Sequence, residues 1–238
     1  KQAQWFINGQ KDEGLRVEHI QENPGDHFTA TMLTVYRQYE KLCNLSGLVD
    51  FGELLLRSHE LWLYRPELLS HYQSRFQQIL VDEFQDTNTI QYAWLQILAG
   101  NRVPLTVVGD DDQSIYGWRG AKIENIQQYQ RDFPNARMVR LEQNYRSTQL
   151  ILKAANAVIA NNQGRLGKEL WTDGPDGEPI SLYAAFNEQD EANYIADTIG
   201  SWVNEGNLRS ESAILYRSNA QSRVLEESLI RQGIPYRV

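Results

Sequence analysis

One cysteine, Cys43, is all that this chain of 238 residues carries, so no internal disulfide can staple it. Its four histidines, His19, His27, His59 and His71, are scattered without metal-ligand spacing. No apolar run is long enough to span a bilayer and no charged-then-apolar leader opens the chain, so the expectation is a protein of the reducing cytoplasm with no membrane partner. A first residue of Lys rather than Met is what a piece of a longer protein would show. Positive charge is also scarce: 23 Lys and Arg stand against 31 Asp and Glu, a net charge of −8. Holding nucleic acid by a broad basic surface needs many cations on one face, so any strand binding must be local. Aromatics can supply it. Six Trp and twelve Tyr exceed what a core of this size requires, and base stacking tolerates any sequence.

Length allows one large or two medium domains with ample core. Residues 1 to about 76 read as helical and irregular, with Phe28, Met32, Leu33, Tyr36 and Tyr39 near a 3.6-residue period. From 77 to about 142 the pattern becomes strand (79–82), helix (about 89–99), strand (105–109), helix (about 121–132) and strand (137–141), which predicts parallel βαβ units with two buried strands leading. A helix over 148–162, a Gly/Pro/Asp turn at 173–179, strand 180–185, a helix capped by Asn187, strand 212–216, a helix from about 220 to 231 and a strand at 235–238 make a second α/β set. No repeat or low-complexity tract occurs.

The chemistry concentrates at strand ends. Ile79-Leu80-Val81 runs into Asp82-Glu83-Phe84-Gln85-Asp86, and ligands of open α/β sheets bind at that carboxyl edge. Asp82 can hold Mg²⁺ on nucleotide phosphates while Glu83 orients or deprotonates the attacking water; the alternative is a pair of solvated acids opening a helix. Leu105 to Val108 repeats the pattern and leads into Gly109-Asp110-Asp111-Asp112-Gln113-Ser114-Ile115-Tyr116-Gly117-Trp118-Arg119-Gly120. Gln113, donor and acceptor at once, suits sensing a terminal phosphate or positioning water. Tyr116 and Trp118 flank Gly117, so both rings can share one face, or both can pack in the core as Trp usually does. In Leu141-Glu142-Gln143-Asn144-Tyr145-Arg146-Ser147 a flat Tyr beside a guanidinium can stack on a base and pair with phosphate, or simply lie on the surface. The same choice holds for Tyr216-Arg217-Ser218-Asn219.

In this order the motifs resemble the superfamily 1 DNA helicases of the UvrD/Rep/PcrA family, over essentially the whole chain. The specific strings are VDEFQDTN at 81–88, VVGDDDQSIYGWRGA at 107–121 and LEQNYRS at 141–147. The resemblance implies partial RecA-like parallel-sheet motor domains of the P-loop NTPase type with a mainly helical inserted subdomain, nucleotide between the two motor domains and single-stranded DNA across their top. It implies that residues 1–76 belong to the helical subdomain, 77–142 to the first motor domain and 143–238 to the first half of the second. It makes Asp82 the magnesium-associated acid, Glu83 the catalytic base, and Gln113 the link between terminal phosphate and DNA. Arg146 becomes an arginine finger and Tyr145 the ring against adenine. Tyr116, Trp118 and Phe51 become stacking platforms, and Arg217 and Asn219 touch the strand backbone.

The phosphate cradle G-x-x-x-x-G-K-[ST] does not occur in these 238 residues: at Gly167-Lys168, Asn162 holds the upstream glycine position and Glu169 the Ser/Thr position. The chain therefore reads as an internal segment of an ATP- and Mg²⁺-dependent helicase that moves 3′ to 5′. Expected partners are single-stranded DNA, single/double-strand junctions, excision and mismatch repair proteins, and the remaining parts of the same helicase. The isolated segment is expected to be inactive. A non-catalytic single-strand-binding or partner-docking module is the competing class; a nuclease-linked relative of the motor gains nothing, since no additional carboxylate cluster occurs.

Overall fold

The computed structural model describes residues 1–23 and 25–238. It divides into two compact units, Lys1–Asn144 with Ala154–Trp171, and Tyr145–Lys153 with Thr172–Val238.

The first unit begins with four helices, α1 (Gln2–Asp12), α2 (His27–Ser46), α3 (Phe51–Tyr64) and α4 (Pro66–Arg75). Their ends follow local chemistry. Asp26 accepts the Thr29 N–H at 3.0 Å and Asp50 accepts the Glu53 N–H at 2.7 Å, satisfying N–H groups that a helix start cannot pair internally. Gly47 ends α2 in the left-handed conformation, φ 64°, which lets the Leu48 N–H return to the Cys43 carbonyl. Pro66 opens α4, where its missing N–H costs nothing.

α1 and α2 enclose a core of Ile7, Val17, Leu33 and Tyr36, with the Tyr36 hydroxyl donating to the Leu15 carbonyl at 3.2 Å. Beside it lies an unusually charged seam. Lys11, only 2% exposed, places Nζ 2.8 Å from Asp50 and 2.9 Å from Glu53. Arg16 reaches Glu60 at 2.7 Å, Glu53 at 2.9 Å and Glu40 at 3.2 Å, so α1, α2 and α3 share one ion network. Burial pushes the Asp50 and Glu53 carboxyls up, but Lys11 and Tyr39 on Asp50, and Arg57, Lys11 and Arg16 on Glu53, outweigh it and hold both below the usual range.

A βαβ unit follows: β1 (Ile79–Val81), α5 (Thr89–Ala99) and β2 (Leu105–Val107), the strands parallel with Ile79 opposite Leu105. Asn88 and Gln91 cap α5 reciprocally, each side chain accepting the other's N–H at 2.9 Å. The ladder continues past the strands through Val108 N to Val81 O at 2.7 Å and Phe84 N to Val108 O at 3.0 Å, so both chains leave the sheet at the same edge. α6 (Glu124–Asp132) covers that end. Its Tyr129 ring packs edge-on against buried Phe84 at 5.8 Å, and its hydroxyl donates to the Leu105 carbonyl at 2.7 Å. α7 (Gln149–Ile159) begins in the second unit and ends in the first. The rest of the second unit holds α8 (Glu188–Asn204) and α9 (Ser222–Arg231), tied by the Ser228 hydroxyl to Asn193 at 2.9 Å. Asn187 caps α8, accepting the Asp190 N–H at 2.9 Å.

The helices form close to where periodicity predicts them, but the sheet is much smaller. β1 and β2 are its only strands among the described residues, and the stretches 137–141, 180–185, 212–216 and 235–238 carry no regular secondary structure. Apolar patterning decides which side chains prefer burial, whereas a strand also needs a neighbour less than 5 Å away to take its N–H and C=O groups. Leu141, Leu182, Leu215 and Val238 are all strongly exposed, so these stretches meet no such neighbour here. One pairing survives beside the first of them, a parallel bridge between Gln143 and Trp171. Nor are β1 and β2 buried as expected: Leu80 and Thr106 face outward, because one face of the two-stranded sheet is uncovered.

Lys11→Met should cost about 3–5 kcal/mol in urea unfolding, since it leaves part-buried Asp50 without its cation and removes one of the three that share Glu53. Because those carboxyls have depressed pKa values, the penalty is full above the ordinary carboxylate range and should shrink as pH falls through and below about 4. A loss under about 1 kcal/mol at neutral pH would reduce the seam to ordinary surface pairing.

Candidate functional site

The sheet's carboxyl edge carries the first candidate residues. Asp82 is exposed and its Oδ1 accepts the Glu83 N–H at 2.9 Å. Glu83 has φ 51° and ψ 41°, the one non-glycine residue at positive φ among those described. For an L side chain this conformation costs roughly 1–2 kcal/mol, and such strain gathers at functional positions when surroundings over-determine it. It also breaks the pleat, so Asp82 and Glu83 are not bound to opposite faces as they would be on a continuing strand.

The surroundings that hold Glu83 centre on Gln85, which is 1% exposed. Its Nε2 donates to Glu83 Oε2 at 2.7 Å and its Oε1 accepts the Asp110 N–H at 2.9 Å. One amide thus joins the two strand exits. Gly109 is required beside it, because a Cβ there would lie 2.8 Å from Gln85 Oε1 and 3.3 Å from the Phe84 and Gln85 nitrogens. Gln85 was not among the expected site residues. Its signal in the sequence is weak: an amide between Phe84 and Asp86 looks like an ordinary turn residue until the second loop is in place.

Beyond Gly109 the three acids are already engaged. Asp110 pairs with Lys168 and accepts Gln113 Nε2 at 2.7 Å. Asp111 accepts the Leu166 N–H at 2.8 Å, and Asp112 takes Arg165 through two bonds of 2.6 Å. Burial would raise the Asp110 carboxyl, but Lys168, Gln113 and the Asp112 N–H prevail and hold it low. Although these carboxylates lie close enough together for a metal, their oxygens serve guanidinium, ammonium and amide donors, and the cluster is an ion-paired latch. Gln113 is exposed at its tip.

The aromatic residues expected to stack on bases do not pack as core in this unit. Trp118 is 76% exposed and Phe51, first residue of α3, 90% exposed. Tyr116 is partly buried, and the Arg119 guanidinium lies over both rings, 4.8 Å from Tyr116 and 4.6 Å from Trp118. Such a cation over two faces orients them together. The remaining expected residues belong to the second unit. Tyr145, 86% exposed, and Arg146, also exposed, precede α7. Arg217 and Asn219 are exposed at a short 3-10 turn, where Gln221 accepts the Arg217 and Ser218 N–H groups at 3.1 and 3.0 Å.

The sequence pattern of the UvrD/REP helicase N-terminal domain matches residues 1–134, and that of the UvrD-like helicase C-terminal domain matches residues 139–238. The chain belongs to the UvrD/REP helicase family. DNA helicase II of Escherichia coli strain K12 is 62% identical over 238 residues, all of this chain and 33% of the relative's length. DNA helicase II of Haemophilus influenzae is 57% identical over the same span, 32% of its length. ATP-dependent DNA helicase PcrA of Staphylococcus epidermidis is 46% identical over 230 residues, 97% of this chain and 32% of its own. The chain thus spans about a third of the length of the curated relatives it matches. No helix among the described residues is long and apolar enough to cross a membrane.

Gln85→Ala should destabilise the first unit by about 1–3 kcal/mol, because the Asp110 N–H loses its acceptor in a closed site. Gln85→Glu should cost a similar amount by a different route, since the acceptor survives but a second carboxylate faces Glu83. Chemical denaturation of the three proteins checks this; unchanged stability in both variants would remove Gln85 as the joint between the loops.

Proposed function

We propose that this chain is an internal segment of an ATP-dependent DNA helicase that translocates 3′ to 5′ on single-stranded DNA. The observation that carries the reading is the Gln85 bridge: a strained acid at the sheet edge shares a hydrogen-bonded frame with the loop that presents Trp118. A binding module has no need to strain Glu83, and a simple hydrolase has no need to hold Trp118 in solvent. The family membership supports the same conclusion.

In this reading the roles divide as follows. Asp82, exposed at the end of β1 with one N–H on Oδ1, suits the way Mg²⁺ is usually held beside nucleotide, through one or two carboxylates and several waters. An ion held there would supply positive charge to offset that of the terminal phosphates. Glu83 orients or deprotonates the attacking water, Gln113 senses the terminal phosphate, Tyr145 stacks on adenine, and Arg146 acts as the arginine finger. Phe51, Tyr116 and Trp118 stack on bases, with Arg217 and Asn219 on the strand backbone. We assign 1–76 to a helical accessory region, 77–142 to most of a first RecA-like motor domain and 143–238 to the first half of a second. The cradle for the β- and γ-phosphates is then supplied by sequence outside these residues, and the isolated segment does not turn over ATP. Strand junctions and repair proteins are the partners, and the cytoplasm the compartment, that the family resemblance supports.

Two substitutions in the full-length protein test this. Glu83→Gln keeps shape and removes the base, so ATP binding should persist while hydrolysis falls by about 10²-fold or more; equal loss of both would return Glu83 to a structural role. Trp118→Ala should weaken binding of a dT oligonucleotide by about 1–3 kcal/mol, the scale of one stacked base, with little change in melting temperature. Unchanged affinity would remove Trp118 from the strand path.

A further inference from the structure

α1 ends in Lys11-Asp12-Glu13, and between them the three side chains reach three parts of the candidate site. Lys11 holds Asp50 at 2.8 Å, and Asp50 caps the helix whose first residue is Phe51. The Tyr39 hydroxyl donates to the same Asp50 oxygen at 2.6 Å, fixing the cap from a second helix. Asp12 Oδ1 accepts Asn88 Nδ2 at 2.8 Å, and Asn88 closes the turn that begins at Glu83 and caps α5. The other Asp12 oxygen lies against Gly120, where a Cβ would come within 3.1 Å; Gly120, φ 90°, ends the turn carrying Trp118 and Arg119. Glu13 pairs with Lys122 at 2.9 Å and accepts the Thr89 hydroxyl at 2.8 Å, tying the start of α5 to the residues just after that turn.

Helix formation does not call for this arrangement. Two carboxylates in and after the last turn of α1 oppose the helix dipole, which favours cations at a C-terminus. Asp12 is also half-buried, and burial together with Glu13 raises its carboxyl pKa, with Asn88 acting in the opposite direction. Acids kept in an unfavourable position, with every reach directed at the same three loops, have a purpose outside their own helix.

We propose that Lys11-Asp12-Glu13 is a positioning element that locks the start of the Phe51 helix, the 83–88 turn and the 116–120 turn into one register, so that DNA on the aromatic side is felt on the hydrolytic side. The inference rests on the assignment of Glu83 to hydrolysis and of Trp118 and Phe51 to the strand. Lys11 secures the frame; Asp12 and Glu13 connect its two working turns.

The test is the coupling between two ligands in the full-length protein: affinity for a dT oligonucleotide with and without a non-hydrolysable ATP analogue, for wild type, Asp12→Ala, Asp12→Asn and Glu13→Ala. Asp12→Ala should reduce the ratio of the two affinities by about fivefold or more, within the range usual for site-to-site coupling, while affinity for either ligand alone changes less than about twofold. Asp12→Asn keeps an Oδ1 acceptor for Asn88 and should retain most of the coupling. Glu13→Ala removes a half-exposed pair and should fold normally with a partial loss, so it decides the matter if Asp12→Ala melts. Coupling unchanged in the alanine variants, or absent from wild type, overturns the proposal. So does a matched loss of both single-ligand affinities with a lowered melting temperature in both Asp12 variants, which marks a merely structural role. Trp118→Ala in the same assay separates the two levels. If it leaves oligonucleotide affinity intact, the site assignment fails and this inference with it; if it weakens binding while Asp12→Ala couples like wild type, this inference fails alone.

Discussion

A lysine ammonium taken almost wholly out of water sets the terms for the first unit. Desolvating an ion costs several kcal/mol even after relaxation, so Lys11 is tolerated only because Asp50 and Glu53 stand within 2.9 Å of it. Glu53 is then shared with Arg16 and Arg57, and Arg16 with Glu40 and Glu60. No member can move without leaving a charge unmatched. An apolar seam would tolerate sliding by a fraction of a side chain, whereas charge-assisted hydrogen bonds fix register. The orientation of α3, and with it the exposed Phe51, follows from the burial of Lys11.

The same logic, with polar rather than ionic groups, runs along the sheet edge. Two short strands bring two loops out side by side, but a two-residue-wide exit does not by itself determine how far apart the loops stand. Gln85 does, by spending its donor on Glu83 and its acceptor on Asp110. Gly109 admits that closeness, and the Asp110-Asp111-Asp112 latch onto Arg165, Leu166 and Lys168 prevents the far end from drifting. The left-handed Glu83 is affordable because its neighbours are fixed on both sides.

Helices and their ends were legible in the sequence because the signals are local. Asn187 caps the helix that its position announces, and the 79–107 segment reads as strand, helix, strand and forms that way; Asp26, Asp50 and Asn88 cap helices as well. The stretches at 180–185 and 212–216 carry the same apolar signal yet do not pair, since a ladder depends on a neighbour that no single segment encodes. At the site, Asp82, Glu83 and Gln113 stand out by motif, and Trp118 by its flanking glycines. Gln85, Asp12 and Lys11 do not. Their importance lies in partners 25, 76 and 39 residues away, and residue type alone carries no record of such distances.

Charge explains the division of labour. At net −8 the chain has little long-range attraction for a polyanion, and much of its positive charge near the site is already committed: Arg165 and Lys168 to the acidic loop, Lys122 to Glu13, Arg16 and Lys11 to the helical seam. Arg119 is different, because its guanidinium lies across Tyr116 and Trp118. If these rings take bases as proposed, a planar cation over them keeps its charge available to a phosphate, and stacking of that kind is indifferent to base identity. The proposed motor, which would release one nucleotide to engage the next, would gain from such contacts. On that proposal each stacked ring would contribute a small, repeatable free energy, with no dense basic surface to be torn from the backbone at every step.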